Sequence, residues 1–169
     1  MSYYTFQATG LTSIEDLGST TELQDGIYER GVFFNCKSLQ SVILPSTITK
    51  IGNYAFHNCS ALELVICHAT SVPTLGSSNY FNNAVIYVPD GTVDQEVDNG
   101  DGTTSTVTKT IVELYKEASG WIDYADRIYP MSVYESGGVA SIITFEDPAV
   151  EAICLANWDN NKDGYFTKA

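Results

Sequence analysis

The sequence predicts a strand-rich α+β fold: a short solenoid closed at its C-terminal end by a capping helix, then a linker and a partial helix-and-loop motif. Three observations predict it. Val32-Phe33-Phe34-Asn35-Cys36 returns as Ala55-Phe56-His57-Asn58-Cys59, and the pairs Phe33/Phe56, Cys36/Cys59, Leu39/Leu62 and Val42/Val65 are all 23 residues apart. A fixed period of this length marks repeats that hide their apolar sides only by stacking. Thr110-Ile111-Val112-Glu113 is a capping box that opens a helix, and Gly120 ends it. Asp147-Pro148 opens a second helical stretch that runs into a Gly- and acid-rich loop.

Taken in order, Phe6 to Ile14 reads as the tail of a degenerate earlier repeat, because Leu11-x-x-Ile14 copies Leu39-x-x-Val42 at a separation of 28. About five extra residues then fall between Leu17 and Gly31, a Gly-, Ser-, Thr- and acid-rich connection expected to be mostly surface loop. Strands are expected at Ser41 to Leu44, Leu64 to Cys67 and Val85 to Val88. Alternation turns Val42, Leu44, Val65, Cys67, Ile86 and Val88 inward. The opposite face carries Ile43, Leu64, Ile66, Val85 and Tyr87, and strands stacked in register make an apolar ladder of Ile43, Ile66 and Tyr87. These five residues are the candidate binding set, since a large apolar patch marks an interaction site. The alternative is a face covered by another element of the chain or by a neighbouring domain.

From Asp94 to Lys109, Asp94, Glu96, Asp98 and Asp101 are interleaved with the turn dipeptides Asn99-Gly100 and Asp101-Gly102. A mobile hairpin follows, and its acidic loop Asp94 to Asp101 is a second candidate contact site. The stretch fits a calcium loop poorly, because counting from Asp94 places Asn99 at the sixth position, where Gly is needed. In the helix, Ile111, Leu114, Tyr115 and Ala118 share one side. With Trp121, Tyr124 and Ile128 it is placed to cap the open end of the solenoid. Residues 1-130 therefore form one unit, and 131-145, interrupted by Gly137-Gly138, reads as a strand-like ribbon or linker.

Residues 146-169 hold the partial motif. Val150, Ile153, Cys154 and Trp158 supply a helix face, and Asp159 to Gly164 fits D-x-[DN]-x-[DN]-G, the first half of an EF-hand-like calcium loop. Asp159, Asn161 and Asp163 would supply oxygen at positions one, three and five, Tyr165 its carbonyl at seven, and Thr167 position nine. The carboxylate of position twelve falls one residue beyond Ala169. Ca2+ is therefore expected to bind weakly or not at all in this chain.

Bulk chemistry narrows the function. The 8 Lys and Arg against 21 Asp and Glu, a formal charge of -13, repel phosphate backbones and anionic lipid, which argues against nucleic acid and membrane-surface partners. No apolar run reaches the roughly 18 residues that span a bilayer. The start, Met1 to Thr5, lacks the basic and apolar regions of a secretory signal, so the chain is either not exported by that route or a piece of a longer precursor. Cys36 and Cys59 share one repeat position, and Cys67 and Cys154 sit in apolar runs, a pattern of buried small side chains and not of a disulfide framework. His57 and His68 are the only histidines, and no nucleophile, zinc or phosphate-loop signature accompanies them, which argues against an enzyme. A zinc site from His57, Cys59, Cys67 and His68 conflicts with a core role for Cys59.

The repeat Phe33-x-Asn35-Cys36-x-x-Leu39-x-x-Val42-x-Leu44-Pro45-x-x-Ile48-x-x-Ile51-Gly52-x-x-Ala55-Phe56-x-Asn58-Cys59 resembles the BspA-like leucine-rich repeat family of bacterial surface proteins, common in Bacteroidetes. The closing patterns Ile86-Tyr87-Val88-Pro89 and Gly120-Trp121-x-x-Tyr124-Ala125-x-Arg127-Ile128-Tyr129-Pro130 support it, and Phe145 to Thr167 resembles an EF-hand or dockerin-like insert. The resemblance implies a leucine-rich-repeat solenoid at the cell surface or outside the cell: a non-catalytic binding or adhesion module for a protein or glycan partner. The alternative it leaves is a structural spacer in a larger exported protein. The acidic stretch Asp94 to Lys109 and the short tail depart from the family pattern.

Overall fold

A computed structural model describes residues 6-27, 30-81 and 83-136. The expected tail helix, its loop residues Asp159, Asn161, Asp163, Tyr165 and Thr167, and the ribbon beyond Ser136 lie outside the described residues.

The repeated motif folds the same way each time, for reasons visible at single residues. Phe33 and Phe56 turn inward and are fully buried. Asn35 and Asn58 both take φ of +61°, a left-handed turn that Asn tolerates better than most residues, and the chain reverses there. Cys36 and Cys59 then follow into the core, where each thiol donates to the Phe carbonyl of the preceding turn, Cys36 Sγ to Phe6 O at 2.9 Å and Cys59 Sγ to Phe33 O at 3.1 Å. Gly31 and Gly52 lie where turns touch backbone to backbone: a Cβ on Gly31 would stand 2.1 Å from Tyr54 O, and one on Gly52 2.4 Å from Gln24 O. The stack leaves no room for a side chain there.

Four turns result. The first supplies β1 (Ser13–Ile14) and β2 (Glu22–Leu23), the second β3 (Ser41–Leu44) and β4 (Lys50–Ile51), the third β5 (Leu64–Cys67) and β6 (Thr74–Leu75), and the fourth begins with β7 (Val85–Val88). β1, β3, β5 and β7 pair in parallel, with Ser13 on Ser41, Val42 on Val65 and Val65 on Ile86. The expected inward residues Val42, Leu44, Val65, Cys67, Ile86 and Val88 are all buried. Leu17 to Gly31 is mostly loop, as expected, but it contributes Glu22–Leu23 to a second parallel sheet, β2-β4-β6, in which Leu23 pairs in register with Ile51 and is fully buried. The extra residues fall after it, since Leu23 to Phe33 is ten positions where Ile51 to Phe56 is five. Two-residue strands carry too little alternation to be legible alone.

The core is a column of rings. Phe6 lies 5.4 Å from Phe33, Phe33 5.3 Å from Phe56, and Phe56 5.7 Å from Phe81. After β7 the chain leaves the stack in an antiparallel hairpin, β8 (Thr92–Asp98) and β9 (Thr104–Thr110), then returns in α1 (Ile111–Glu117). Thr110 and Glu113 form the capping box, with Glu113 N donating to Thr110 Oγ1 at 3.1 Å and Thr110 N to Glu113 Oε2 at 2.7 Å. Ile111, Val112 and Tyr115 are the buried side of α1, so Val112 takes the place expected of Leu114. Trp121, fully buried, ends the ring column 5.8 Å from Phe81 and 5.0 Å from Tyr115, and its Nε1 donates to Pro73 O at 2.8 Å. After a 3-10 helix (Ile122–Arg127), β10 (Ile128–Pro130) adds a fifth parallel strand against β7.

The expected ribbon or linker begins instead with a short helix, α2 (Met131–Glu135). Asp90 anchors its first turn, accepting from Ser132 N at 2.9 Å and Ser132 Oγ at 2.7 Å. Met131 and Glu135 are good helix formers, but five residues ahead of Gly137-Gly138 are too few to make a helix by themselves. The buried Val133 and the Asp90 contacts are tertiary, and they override local propensity.

Candidate functional site

The register of the apolar ladder is as expected, with Ile43 beside Ile66 and Ile66 beside Tyr87. Its openness is not. Ile66 is 4% and Tyr87 3% exposed, under the fully buried Val133 of α2, while Tyr134 lies 5.1 Å from the Tyr87 ring and Tyr129 6.3 Å. Ile43, Leu64, Val85 and Met131 pack around this second small core and stay partly exposed. Of the candidate binding residues Ile43, Leu64, Ile66, Val85 and Tyr87, the two central ones are therefore withdrawn from solvent by an element of the same chain. Ile66→Asp is accordingly expected to destabilise the fold by about 2 kcal/mol or more, because it buries an unpaired carboxylate; urea denaturation followed by circular dichroism measures it.

A different row stands on the surface. Phe34, His57 and Tyr80 follow each other at the same 23-residue interval as the buried phenylalanines, one position further along, so they point away from the core. Phe34 and His57 stack with ring centroids 5.4 Å apart and planes 2° from parallel. Tyr80 lies 5.1 Å beyond His57, and Tyr54 approaches His57 edge-on at 5.4 Å. Tyr80 is 52% exposed, and Phe34, Tyr54 and His57 are half-buried. His57 Nδ1 sits 3.2 Å from Ser78 O, which fixes the ring in the row. Beside it, Asn58 Nδ2 donates to Asn35 Oδ1 at 2.6 Å, an amide ladder on the exposed side of the same turns. The sequence signal for the row was present: an aromatic ring or His at the residue after Phe33, Phe56 and Asn79.

Burial pushes the Cys59 thiol up to about 12 and also raises Cys67, whose Sγ sits 3.2 Å from Tyr115 Oη. Tyr115 is raised by the same burial and donates to Ala69 O at 2.7 Å. Thiols held protonated in this way are poor nucleophiles and poor metal ligands. Among the described residues no group of three or more His, Cys, Asp or Glu converges to hold a metal ion, and no helix is long and apolar enough to cross a membrane.

A parallel-sheet solenoid with a ring column, a helical cap and a row of side chains repeating along its outside defines the class of repeat scaffolds. The chain belongs to the BspA type leucine rich repeat region family, whose model matches residues 1–88 in 6 copies. No curated protein matches the chain.

Proposed function

We propose that the chain is a non-catalytic binding module of an extracellular or cell-surface protein and that it recognises a protein partner through its repeat surface. The observation that carries this reading is the Phe34, His57 and Tyr80 row, flanked by Tyr54 and the Asn35/Asn58 amides. Aromatic side chains held by their neighbours dominate protein interfaces because they bury much apolar area at little entropy cost. Family membership agrees with it, since such repeats serve as interaction modules. Phe34 and His57 each spend one ring face on the other, which leaves a glycan fewer faces to stack on. Protein side chains fit the edges and amides that remain. The partly exposed ladder residues Ile43, Leu64 and Val85 form a second, smaller contact face.

The test is capture of surface-protein extracts on the immobilised chain, wild type against His57→Ala/Tyr80→Ala. The expected result is a partner retained by wild type and reduced about tenfold or more on the variant, with both melting at similar temperatures. A spacer would retain nothing on either, and equal capture would move recognition away from this row.

A further inference from the structure

The β8-β9 hairpin is the part of the fold that the ring column, the cap and the aromatic row do not use. Its strands pack on each other and, at the base, on α1. Except for the half-buried Gln95 and the base residues Lys109 and Thr110, both strands are exposed along their whole length. Among the described residues the sheet has two strands, and a lone two-stranded ribbon is marginal in water.

Its two outer edges differ in kind. Gly91 O accepts from Ile111 N at 2.9 Å, and Asn99 N donates to Thr103 O at 3.0 Å, so the hydrogen-bonded pairs between them are Val93/Lys109, Gln95/Val107 and Val97/Ser105. The backbone groups of Thr104, Thr106 and Thr108 therefore point outward from β9, and those of Asp94, Glu96 and Asp98 outward from β8. β8 guards its edge with those three carboxylates, the usual protection against pairing. β9 reads Thr-Ser-Thr-Val-Thr-Lys-Thr, with no Asp, Glu, Pro or Gly and mostly β-branched residues. Among the described residues one edge is guarded by three carboxylates, and the other pairs with nothing and carries Lys109 as its one charged side chain.

We propose that β9 is a self-association edge, on which a second copy of the chain pairs antiparallel about a two-fold axis at Val107. Three features select a second copy as the occupant. The strand is symmetric about Val107: Thr106 then meets Thr108, Ser105 meets Lys109 and Thr104 meets Thr110, and no like charges are opposed. Thr106 and Thr108, which point their backbone groups outward, become the hydrogen-bonded pairs, and Val107 meets Val107 in the close non-hydrogen-bonded position. The copies each carry a charge of -13 and repel one another, and pairing through β9 lessens that repulsion by keeping both acidic β8 strands on the outside of a four-stranded sheet. Val107, now 39% exposed, meets its own copy across the axis with Gln95 on its other side, and Val93 and Val97, 38% and 42% exposed, stand at the diagonal positions of the same face. The solenoids are left facing outward with their aromatic rows free.

Sedimentation velocity of the full chain over the micromolar range is expected to show a monomer–dimer equilibrium. Thr106→Pro removes an N–H that bonds nothing within the hairpin and weakens that dimer about tenfold or more. In a Cys154→Ser background, Val107→Cys is expected to form a disulfide-linked dimer on mild oxidation, because two-fold pairing brings the Cβ atoms within bridging distance, and Val97→Cys on the outer strand is not. A chain that stays monomeric at high micromolar concentration overturns the proposal. So do a dimer indifferent to Thr106→Pro and equal cross-linking from position 97.

Discussion

Phe56→Ala is expected to lower the unfolding free energy by about 3–5 kcal/mol, a large part of the roughly 5–15 kcal/mol that a folded domain holds. Phe56 is fully buried and stands between Phe33 at 5.3 Å and Phe81 at 5.7 Å. Its loss therefore removes contacts to two turns at once. Stability in a stacked-repeat protein is a sum of each turn and its interfaces, and a gap in the middle of the column weakens both interfaces of the third turn. The fixed backbone around it cannot close the void: Gly31 and Gly52 already hold adjacent turns at backbone contact. Equilibrium denaturation in urea measures the loss. Tyr80→Ala, on the exposed row, is the matched control and should cost only about 0.5 kcal/mol.

The second large effect belongs to Asn79, the one buried polar side chain among the described residues, at 5% exposure. Its Oδ1 accepts from Phe56 N at 2.9 Å, and its Nδ2 donates to Gly52 O at 2.8 Å and Gly76 O at 2.9 Å. One amide thus satisfies three backbone groups where the third and fourth turns meet. Asn79→Asp keeps the shape, removes both donors and aims a carboxylate at two carbonyl oxygens. A loss of about 3 kcal/mol or more is expected at neutral pH. Burial and the carbonyls raise the folded pKa of the new carboxyl, so its protonated form is the one the fold accepts. The penalty therefore shrinks as pH falls toward the carboxylate range and grows as pH rises through the folded value. The same substitution at Asn53 is the control: its Oδ1 only accepts, from Ser77 N at 2.7 Å and Ser77 Oγ at 3.0 Å, and a carboxylate accepts as well. Asn53→Asp should change stability by about 0.5 kcal/mol or less.

The two predictions mark the limits of what could be read from the chain. Phe56 declares itself, because the 23-residue interval names it and alternation gives its direction. Asn79 does not: it occupies the position before Tyr80 where a polar residue reads as loop, and its three partners come from residues 52, 56 and 76, which only the stack brings together. The candidate site divides the same way. Ile43, Ile66 and Tyr87 are legible as one ladder and stand in register, yet whether a face is open depends on what else lies over it. The answer came from α2, a five-residue helix whose position is fixed by Asp90 and by Val133 on Tyr87 and Ile66. The row of Phe34, His57 and Tyr80 carries the period plainly, but the same period also fits residues that simply follow the buried phenylalanines, so periodicity alone does not single it out.

From the sequence alone came the turns, the strands Ser41–Leu44, Leu64–Cys67 and Val85–Val88, the inward residues, the capping box and the family. These follow from periodicity and local geometry, which repeat along the chain and need no knowledge of distant partners. Tertiary structure decided which faces meet solvent, that β2, β4 and β6 form a second sheet, that Ile128–Pro130 closes the main one, and that α2 lies over the ladder. Each of these depends on contacts between residues far apart in the chain, where burial of apolar surface and pairing of backbone groups outweigh any preference a short segment has by itself.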